Sequence, residues 1–354
     1  MNNTDVNRWA NANQRYLMAC LAEVRARLQH YTAGNEDTRV SVEPELEEAR
    51  ATLDGIPAPA ALDTLCAAFG LSRFERAVLL LCAGIELESS FGSLCALAQG
   101  QEQHTSPTFS LALAALPDAH WSALAPAAPL RYWRLIDVAQ GEALTTSALR
   151  IDERVLHYLT GIAGPDERLV GVTELQPPPD DLPPSQRATA ERIAGIWNQT
   201  EPETFPVIHL AGEDGAAKRA AAAFACAALG MELRVVRGAD IPANAAEREA
   251  LSILCQREAV LDHTALFVDC DEGENQRVAF SFADRTRGCV LVGSREPVRL
   301  RLRPLARLDV TRATAAEQRR LWQTALGPLT GQLNGELETL VSQFDMGMDD
   351  IASA

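Results

Sequence analysis

The stretch VIHLAGEDGAAKR, from Val207 to Arg219, decides the fold expected for the second half of the chain. Its first residues are mostly apolar and predict a buried strand, and its last residues open an alanine-rich run that favours a helix. Lys218, at the start of that run, is the only lysine among the 354 residues. A strand that turns through glycines into a helix is typical of an anion-binding loop in an α/β fold.

The residues between strand and helix follow the spacing of the phosphate-binding pattern G-x-x-x-x-G-K-[S/T]. In the intact pattern, backbone N–H groups cradle phosphates, the lysine neutralises the outer phosphates and the final hydroxyl holds Mg²⁺. Here alanine stands at the sixth position and arginine at the eighth. The predicted nucleotide-binding residues, referred to below as the loop segment, are Gly212, Glu213, Asp214, Gly215, Ala216, Ala217, Lys218 and Arg219.

Two later strands supply the other candidate site residues. Ala265–Asp269 is an apolar strand ending in a carboxylate, the arrangement that holds Mg²⁺ through water beside such a loop. Asp269 is therefore the predicted metal ligand. Cys289–Ser294 places a hydroxyl at the carboxyl end of the following strand, where Ser294 would contact the outermost phosphate.

Strands and helices alternate from residue 183 onward, which predicts a parallel sheet covered by helices and hence an α/β fold. The predicted strands are Val207–Ala211, Glu232–Val236, Ala265–Asp269, Cys289–Val292 and Leu308–Val310, and the predicted helices are Pro183–Trp197, Lys218–Leu229, Ala246–Leu261 and Arg277–Asp284. Helical patterns follow at Ala313–Leu326, Leu333–Phe344 and Met348–Ala354, and the last of these stops after barely two turns.

The first half of the chain is predicted to be mainly helical. Trp9–Tyr31 has apolar residues at spacings of four and three, so this helix either projects as a short coiled-coil arm or docks on its own domain. The patterns that follow are helices at 62–69, 73–83 and 91–98, strand-like runs at 130–138 and 144–151, and a helix at 152–160. Three helices and a β-hairpin give the order of a winged helix.

These patterns divide the chain into five expected parts. They are an N-terminal helical arm (1–50), a winged-helix domain (51–165), a proline-rich linker (166–186), an α/β core (187–312) and a partial helical lid (313–354). The linker is expected because five prolines occur between Gln176 and Ser185, which argues against a helix or a central strand.

Composition favours protein partners over nucleic acid or a membrane. The formal net charge is −16, and residues 55–160 hold six arginines against ten carboxylates, whereas nucleic-acid affinity depends on lysine and arginine. No apolar run approaches the ~20 residues that a membrane span needs, and no signal pattern opens the chain, so a cytoplasmic protein is expected. The eight cysteines stand singly in apolar stretches, as buried free thiols do.

On these motifs the second half resembles an AAA+ ATPase module, with Gly212–Arg219 as Walker A, Ala265–Asp269 as Walker B and Ser294 as sensor 1. The whole chain, including Phe69–Gly84, resembles the N-terminal half of bacterial ATPases with a winged-helix N-domain that are encoded beside contractile injection systems. In that family a second, intact AAA+ module follows the degenerate one. The resemblance implies that the chain is the N-terminal part of a longer protein that assembles as a homo-hexamer.

Departures from the active pattern predict impaired hydrolysis. Cys270 stands where active members carry the glutamate that orients the attacking water. Asp271 and Glu272 are the candidate catalytic replacements, but they would need a shifted strand register. Five arginines, at 295, 299, 301, 303 and 307, follow sensor 1, where an arginine finger for a neighbouring subunit could lie.

The expected function is an assembly and partner-binding half of a ring-forming AAA+ ATPase that binds ATP or ADP and Mg²⁺ weakly or not at all. One alternative is a weakly active ATPase that uses Lys218, Asp269 and Ser294, with Asp271 or Glu272 as the catalytic carboxylate. A third hypothesis, a DNA-binding regulator that uses the winged helix, is disfavoured by the negative charge.

Overall fold

A computed structural model of the chain describes residues 3–34, 43–56, 58–141, 143–201, 204–271, 276–327 and 341. The chain divides into two compact units, Met1–Gly164 and Pro165–Ala354. No helix within the described residues is long and apolar enough to cross a bilayer.

The first unit consists of helices and one small antiparallel sheet. Its helices are α1 (Asn3–Ala33), α2 (Glu43–Asp54), α3 (Ala61–Phe69), α4 (Arg73–Leu87), α5 (Ser90–Gln99), α6 (Phe109–Ala115), α7 (Pro129–Tyr132) and α8 (Glu153–Leu159), and its strands are β1 (Ile136–Val138) and β2 (Leu149–Ile151). The two strands pair with Ile136 opposite Ile151. The three predicted helices and the hairpin are thus present.

Helix α1 packs against α2, α4 and α5 of its own unit. Leu17, Leu21 and Leu28 lie on its buried face. The buried side chain of Asn13 ties the helix to two others: its amide nitrogen donates to the carbonyl of Leu159, and its oxygen accepts from the backbone of Ala61, at 2.9 and 2.8 Å. Along its described length, α1 is therefore docked on its own unit.

The two strands of the hairpin are shorter than predicted. Residues 130–132 belong to α7, which begins with Pro129 at its first position, where the missing N–H and the fixed φ of proline favour a helical turn. In the second run the strand covers only Leu149–Ile151, and Ala148 forms an isolated bridge with Thr108. Helices α2 and α6 were not predicted, since α2 is rich in glutamate with few apolar residues and α6 has only seven residues.

The second unit is an α/β fold built on a six-stranded sheet. Its strands are β3 (Thr173–Gln176), β4 (Val207–Ala211), β5 (Glu232–Arg237), β6 (Thr264–Asp269), β7 (Val290–Ser294) and β8 (Leu305–Asp309), in the order β3-β5-β6-β7-β4-β8. All neighbours pair in parallel except β3, which is antiparallel to β5. The helices are α9 (Pro184–Asn198), α10 (Gly215–Ala228), α11 (Ala245–Leu261), α12 (Gln276–Arg285) and α13 (Ala315–Leu326).

Strand β3 lies inside the segment 166–186 that was expected to be a linker, so that expectation is wrong for these residues. Thr173 pairs with Val236 and Gln176 with Leu233, which makes β3 the edge strand beside β5. Prolines begin immediately after Gln176, and a residue before proline prefers an extended backbone. An edge position needs partners on one side only, so the prolines that follow it cost no ladder bond.

The sheet has an apolar core on each face. Side chains of β4, β6 and β7 alternate between a cluster with α9 and α10 and a cluster with α11 and α12. In β6, Phe267 faces the first cluster, whereas Val268 faces the second. Burial on both faces explains why these strands are nearly continuous apolar runs.

Helix α13 begins with a capping box in which Thr314 and Glu317 satisfy each other's backbone N–H groups. It confirms the helix predicted at Ala313–Leu326. The helices predicted at Leu333–Phe344 and Met348–Ala354 fall outside the described residues, apart from position 341.

Candidate functional site

A cleft of about 760 Å³ lies at the carboxyl ends of the parallel strands, where α/β sheets usually bind ligands. Residues that follow β4, β5, β6, β7 and β8 line it, together with residues of β3. Its charged side chains are Glu174, Glu213, Asp214, Asp240, Asp269, Asp271, Arg219, Arg237, Arg295 and Arg312. The structure therefore brings much of the loop segment to the same place as the predicted metal ligand.

The last five residues of the loop segment form the start of α10, which begins at Gly215, three residues before Lys218. Asp214 is the N-cap, and its carboxylate accepts a hydrogen bond from the N–H of Ala217 at 2.9 Å. The N–H of Lys218 donates to the carbonyl of Asp214 at 3.2 Å. Two amides of the predicted phosphate cradle are thus used by the chain itself.

Neighbouring protein atoms leave little room for a Cβ at either glycine of the loop segment. A Cβ on Gly212 would lie 2.3 Å from the carbonyl oxygen of Val310, so the backbones approach too closely for a side chain. A Cβ on Gly215 would lie 3.0 Å from a carboxylate oxygen of Asp271. Ala217, which replaces the last glycine of the pattern, is fully buried in the core beside α9.

Lys218 is fully buried, and its ammonium group is occupied by the protein. Its Nζ donates to the carbonyl of Gly212 at 2.8 Å and to Oδ1 of Asp271 at 2.6 Å. The second oxygen of the same carboxylate lies 2.5 Å from Nζ. A buried ammonium needs such a counter-ion, because burial disfavours its charged form.

Asp269, the predicted metal ligand, pairs with Arg219 of the loop segment. Their closest N and O atoms are 2.7 Å apart. The other oxygen of Asp269 accepts a hydrogen bond from the N–H of Asp271 at 3.2 Å. Across the described part of the chain, no group of three or more His, Cys, Asp or Glu side chains is placed to hold a metal ion.

Cys270 points away from this cluster, into the apolar core beside α11 and α12. Its N–H donates to the carbonyl of Gly293 at 2.8 Å, which continues the register of β6 against β7. Burial, together with the charges of Asp269 and Asp271, raises the pKa of this thiol to about 12. A neutral thiol inside the core cannot orient or deprotonate a water molecule in the cleft.

Of the two candidate catalytic carboxylates, only that of Asp271 belongs to a described residue. Asp271 lies on the same side of the chain as Asp269 and holds Lys218, without a shift in strand register. Glu272 lies outside the described residues.

Ser294 is fully buried, and its hydroxyl has two protein partners. It donates to the carbonyl of Glu296 at 2.6 Å and lies 3.0 Å from Nε2 of His209 on β4. Since the hydroxyl proton points to Glu296, the N–H of His209 is the donor in the second contact. Burial lowers the pKa of His209, although its contact with the backbone carbonyl of Ser294 acts in the opposite direction. His209 was not a predicted site residue, although a polar residue inside an apolar strand was a visible signal.

The remaining charged residues of the site differ in their exposure. Glu213, expected beside a phosphate, pairs with Arg312 at 3.2 Å. Of the five candidate finger arginines, Arg295 is exposed and lines the cleft. Arg303 instead donates to the carbonyls of Phe205 and Gly288, at 2.7 and 2.8 Å, so it stabilises the fold.

Two protein-family models match the chain. Residues 8–173 match the model described as "Winged helix domain, variant". Residues 314–354 match the "Contractile injection system ATPase helical domain". The winged-helix prediction is therefore confirmed, and the end of the chain is similar to a helical domain of contractile injection system ATPases.

Comparison with other proteins adds two findings. No curated protein sequence matches the chain. Among solved structures, one titled "Structure of Rhizobiales Trip13" is similar over 48% of this chain and 77% of its own length, with 16% sequence identity and a TM-score of 0.31.

Proposed function

We propose that the chain is an assembly and partner-binding part of a ring-forming AAA+ ATPase that serves a contractile injection system, and that its own site does not hydrolyse ATP. The match of residues 314–354 to the helical domain of such ATPases supports the family. The loop segment at the carboxyl edge of a parallel sheet supports descent from a nucleotide-binding module.

The ion pair between Arg219 and Asp269 is the observation that carries the proposal. Arginine stands where the active pattern has the hydroxyl that binds Mg²⁺, and it neutralises the carboxylate that would hold the ion. Catalysis of phosphoryl transfer depends on Mg²⁺ to neutralise the developing charge. With Cys270 turned into the core, the site also lacks a group at that position to orient water.

ATP and Mg²⁺ do not fit the residues present. The ammonium of Lys218 is paired with Asp271, and two amides of the cradle are bonded within the helix start. Glu213 and Asp214 would add negative charge beside any phosphate. The residues present thus support the proposal that this unit does not hydrolyse ATP.

The winged-helix unit is proposed to contact protein. Residues 55–160 carry more carboxylates than arginines, which disfavours a phosphate backbone as its ligand. The full-length protein is proposed to be a cytoplasmic homo-hexamer, in which this chain supplies contacts between subunits and to the partner.

The test is an ATP hydrolysis assay on the purified chain, with a Lys218→Met variant and an EDTA control. We expect phosphate release at background for both proteins, with or without EDTA. Release by the natural chain that is lost in Lys218→Met would instead establish the alternative, a weakly active ATPase. Binding to duplex DNA that weakens steeply with salt would favour the winged-helix regulator.

A further inference from the structure

We propose that the carboxylate of Asp271 takes, for Lys218, the place of a ligand phosphate, so that the site accepts an external anion only when this carboxylate is replaced by a neutral side chain. This inference rests on the proposed function and adds to it a reason why the natural chain does not bind a phosphate at Lys218. It concerns anion binding, whereas the proposed function concerns hydrolysis.

The pair is buried on both sides. The side chain of Lys218 is 0% exposed and that of Asp271 is 10% exposed. Oδ1 of Asp271 accepts a hydrogen bond from the ammonium at 2.6 Å, and Oδ2 lies 2.5 Å from it. Removing either charge leaves the other largely buried and without compensation.

The loop segment makes room for this carboxylate. Gly215 has no Cβ, and a Cβ there would lie 3.0 Å from Oδ2 of Asp271. In phosphate-binding loops, glycine lets the backbone approach the ligand phosphate. Gly215 stands at the fourth position, which the pattern leaves free, and its missing Cβ admits an oxygen of Asp271 beside the loop segment.

The backbone holds Asp271 in this position. Its N–H donates to Asp269, whose other oxygen pairs with Arg219. Asp271 therefore belongs to a chain of charges, Lys218 to Asp271 and Asp269 to Arg219, that is neutral as a whole. An added phosphate would have to displace a carboxylate that the strand end already positions.

The site still opens to the cleft. Asp271 and Gly215 both line the cleft of about 760 Å³, so an anion of the size of pyrophosphate has a route to the pair. Asparagine at position 271 would keep the shape of the side chain and remove its charge. The ammonium of Lys218 would then lack a counter-ion and would attract an anion from solution.

The experiment measures anion binding by thermal shift and calorimetry on three proteins: the natural chain, Asp271→Asn and the control Asp240→Asn. Asp240 lines the same cleft but is exposed. The probes are inorganic phosphate, pyrophosphate and ATP without Mg²⁺, which separates a free phosphate from a nucleotide as the source of the anion.

We expect pyrophosphate at ten times its Kd to raise the Tm of Asp271→Asn by roughly 3–6 °C, while the natural chain and Asp240→Asn show no saturable response. A folded Asp271→Asn protein without anion binding overturns the proposal, and so does equal binding by the natural chain. Neither result bears on hydrolysis, which is measured on the natural chain.

If Asp271→Asn does not fold, the double variant Lys218→Met/Asp271→Asn decides the question. Recovery of folding in the double variant, or refolding of Asp271→Asn by pyrophosphate, supports the proposal because the uncompensated ammonium is then the cause. Failure of both overturns it.

Discussion

We call the Lys218–Asp271 and Arg219–Asp269 pairs the floor of the cleft and the Arg237–Glu174 pair its rim. These ion pairs differ in their exposure to water. On the floor, Lys218 and Asp271 are 0% and 10% exposed. On the rim, Arg237 and Glu174 are 66% and 67% exposed at a similar separation of 2.8 Å. Exposed pairs contribute little because water and salt screen them, whereas breaking a buried pair leaves a desolvated charge. Ion pairs of similar separation thus contribute differently to stability on the floor and on the rim.

The floor pairs also explain how the second unit can fold without a nucleotide or Mg²⁺ to balance its charges. An active phosphate site gathers positive charge that a nucleotide and Mg²⁺ balance. In this chain Asp271 and Asp269 balance Lys218 and Arg219 from within the protein. These internal ion pairs allow the unit to fold without a bound nucleotide or Mg²⁺, as the proposed function requires.

The largest effect is expected for Lys218→Met, which leaves Asp271 without its partner on the cleft floor. We expect the free energy of unfolding to fall by about 3 kcal/mol, the lower end for a broken buried pair. Chemical denaturation followed by circular dichroism measures it. The double variant Lys218→Met/Asp271→Asn is the control and should regain most of the loss. A loss below about 1 kcal/mol would mean that the floor pair behaves like an exposed one.

The next effect tests packing of the loop segment. Gly212→Ala would place a Cβ 2.3 Å from the carbonyl of Val310, and we expect a loss of roughly 1–3 kcal/mol from overpacking. Gly195→Ala is the matched control, since a Cβ there, within α9, meets nothing within 4 Å. It should raise stability by about 0.5–1 kcal/mol. Equal effects of the two substitutions would contradict the close approach at Gly212.

An intermediate effect is expected for the Arg219–Asp269 pair, which is partly exposed to water. Asp269→Asn removes the partner of Arg219, whose side chain is 30% exposed. Partial exposure reduces the loss to about 1 kcal/mol, as for hydrogen bonds to charged groups that water screens in part. Thermal unfolding at low and high salt measures it. A loss as large as that of Lys218→Met would mean that both floor pairs are equally desolvated.

The smallest effect is expected on the rim. Arg237→Ala breaks a pair that is two-thirds exposed on both sides. The change in unfolding free energy should lie within about 1 kcal/mol and should shrink as salt is added. Thermal unfolding across a salt series checks this, and a larger loss that is insensitive to salt would remove the distinction between floor and rim.

The central strands β4, β6 and β7 could be predicted because they are apolar on both faces. The bounds of β4 agree with the prediction at both ends, and β6 differs by one residue. Strand β3 could not be predicted in this way. Its four residues, TELQ, lie at an edge, have no continuous apolar run and lead into prolines.

The positions of the candidate site residues in the fold could be predicted from the sequence, but their pairings could not. Lys218, Asp269 and Ser294 lie at the expected ends of strands or start of a helix. Asp271, the carboxylate that pairs with Lys218, is 53 positions away in the sequence, and His209, one of the two partners of the Ser294 hydroxyl, is 85 positions away. Which side chain meets which depends on how the strand end faces the start of α10, and a motif does not encode that.

The chain's own charges satisfy the site. The most direct test is calorimetric titration of ATP into the natural chain, with and without Mg²⁺. We expect no gain in ATP binding when Mg²⁺ is added, because Arg219 neutralises Asp269. Saturable ATP binding that requires Mg²⁺ and is lost in Asp269→Asn would contradict it.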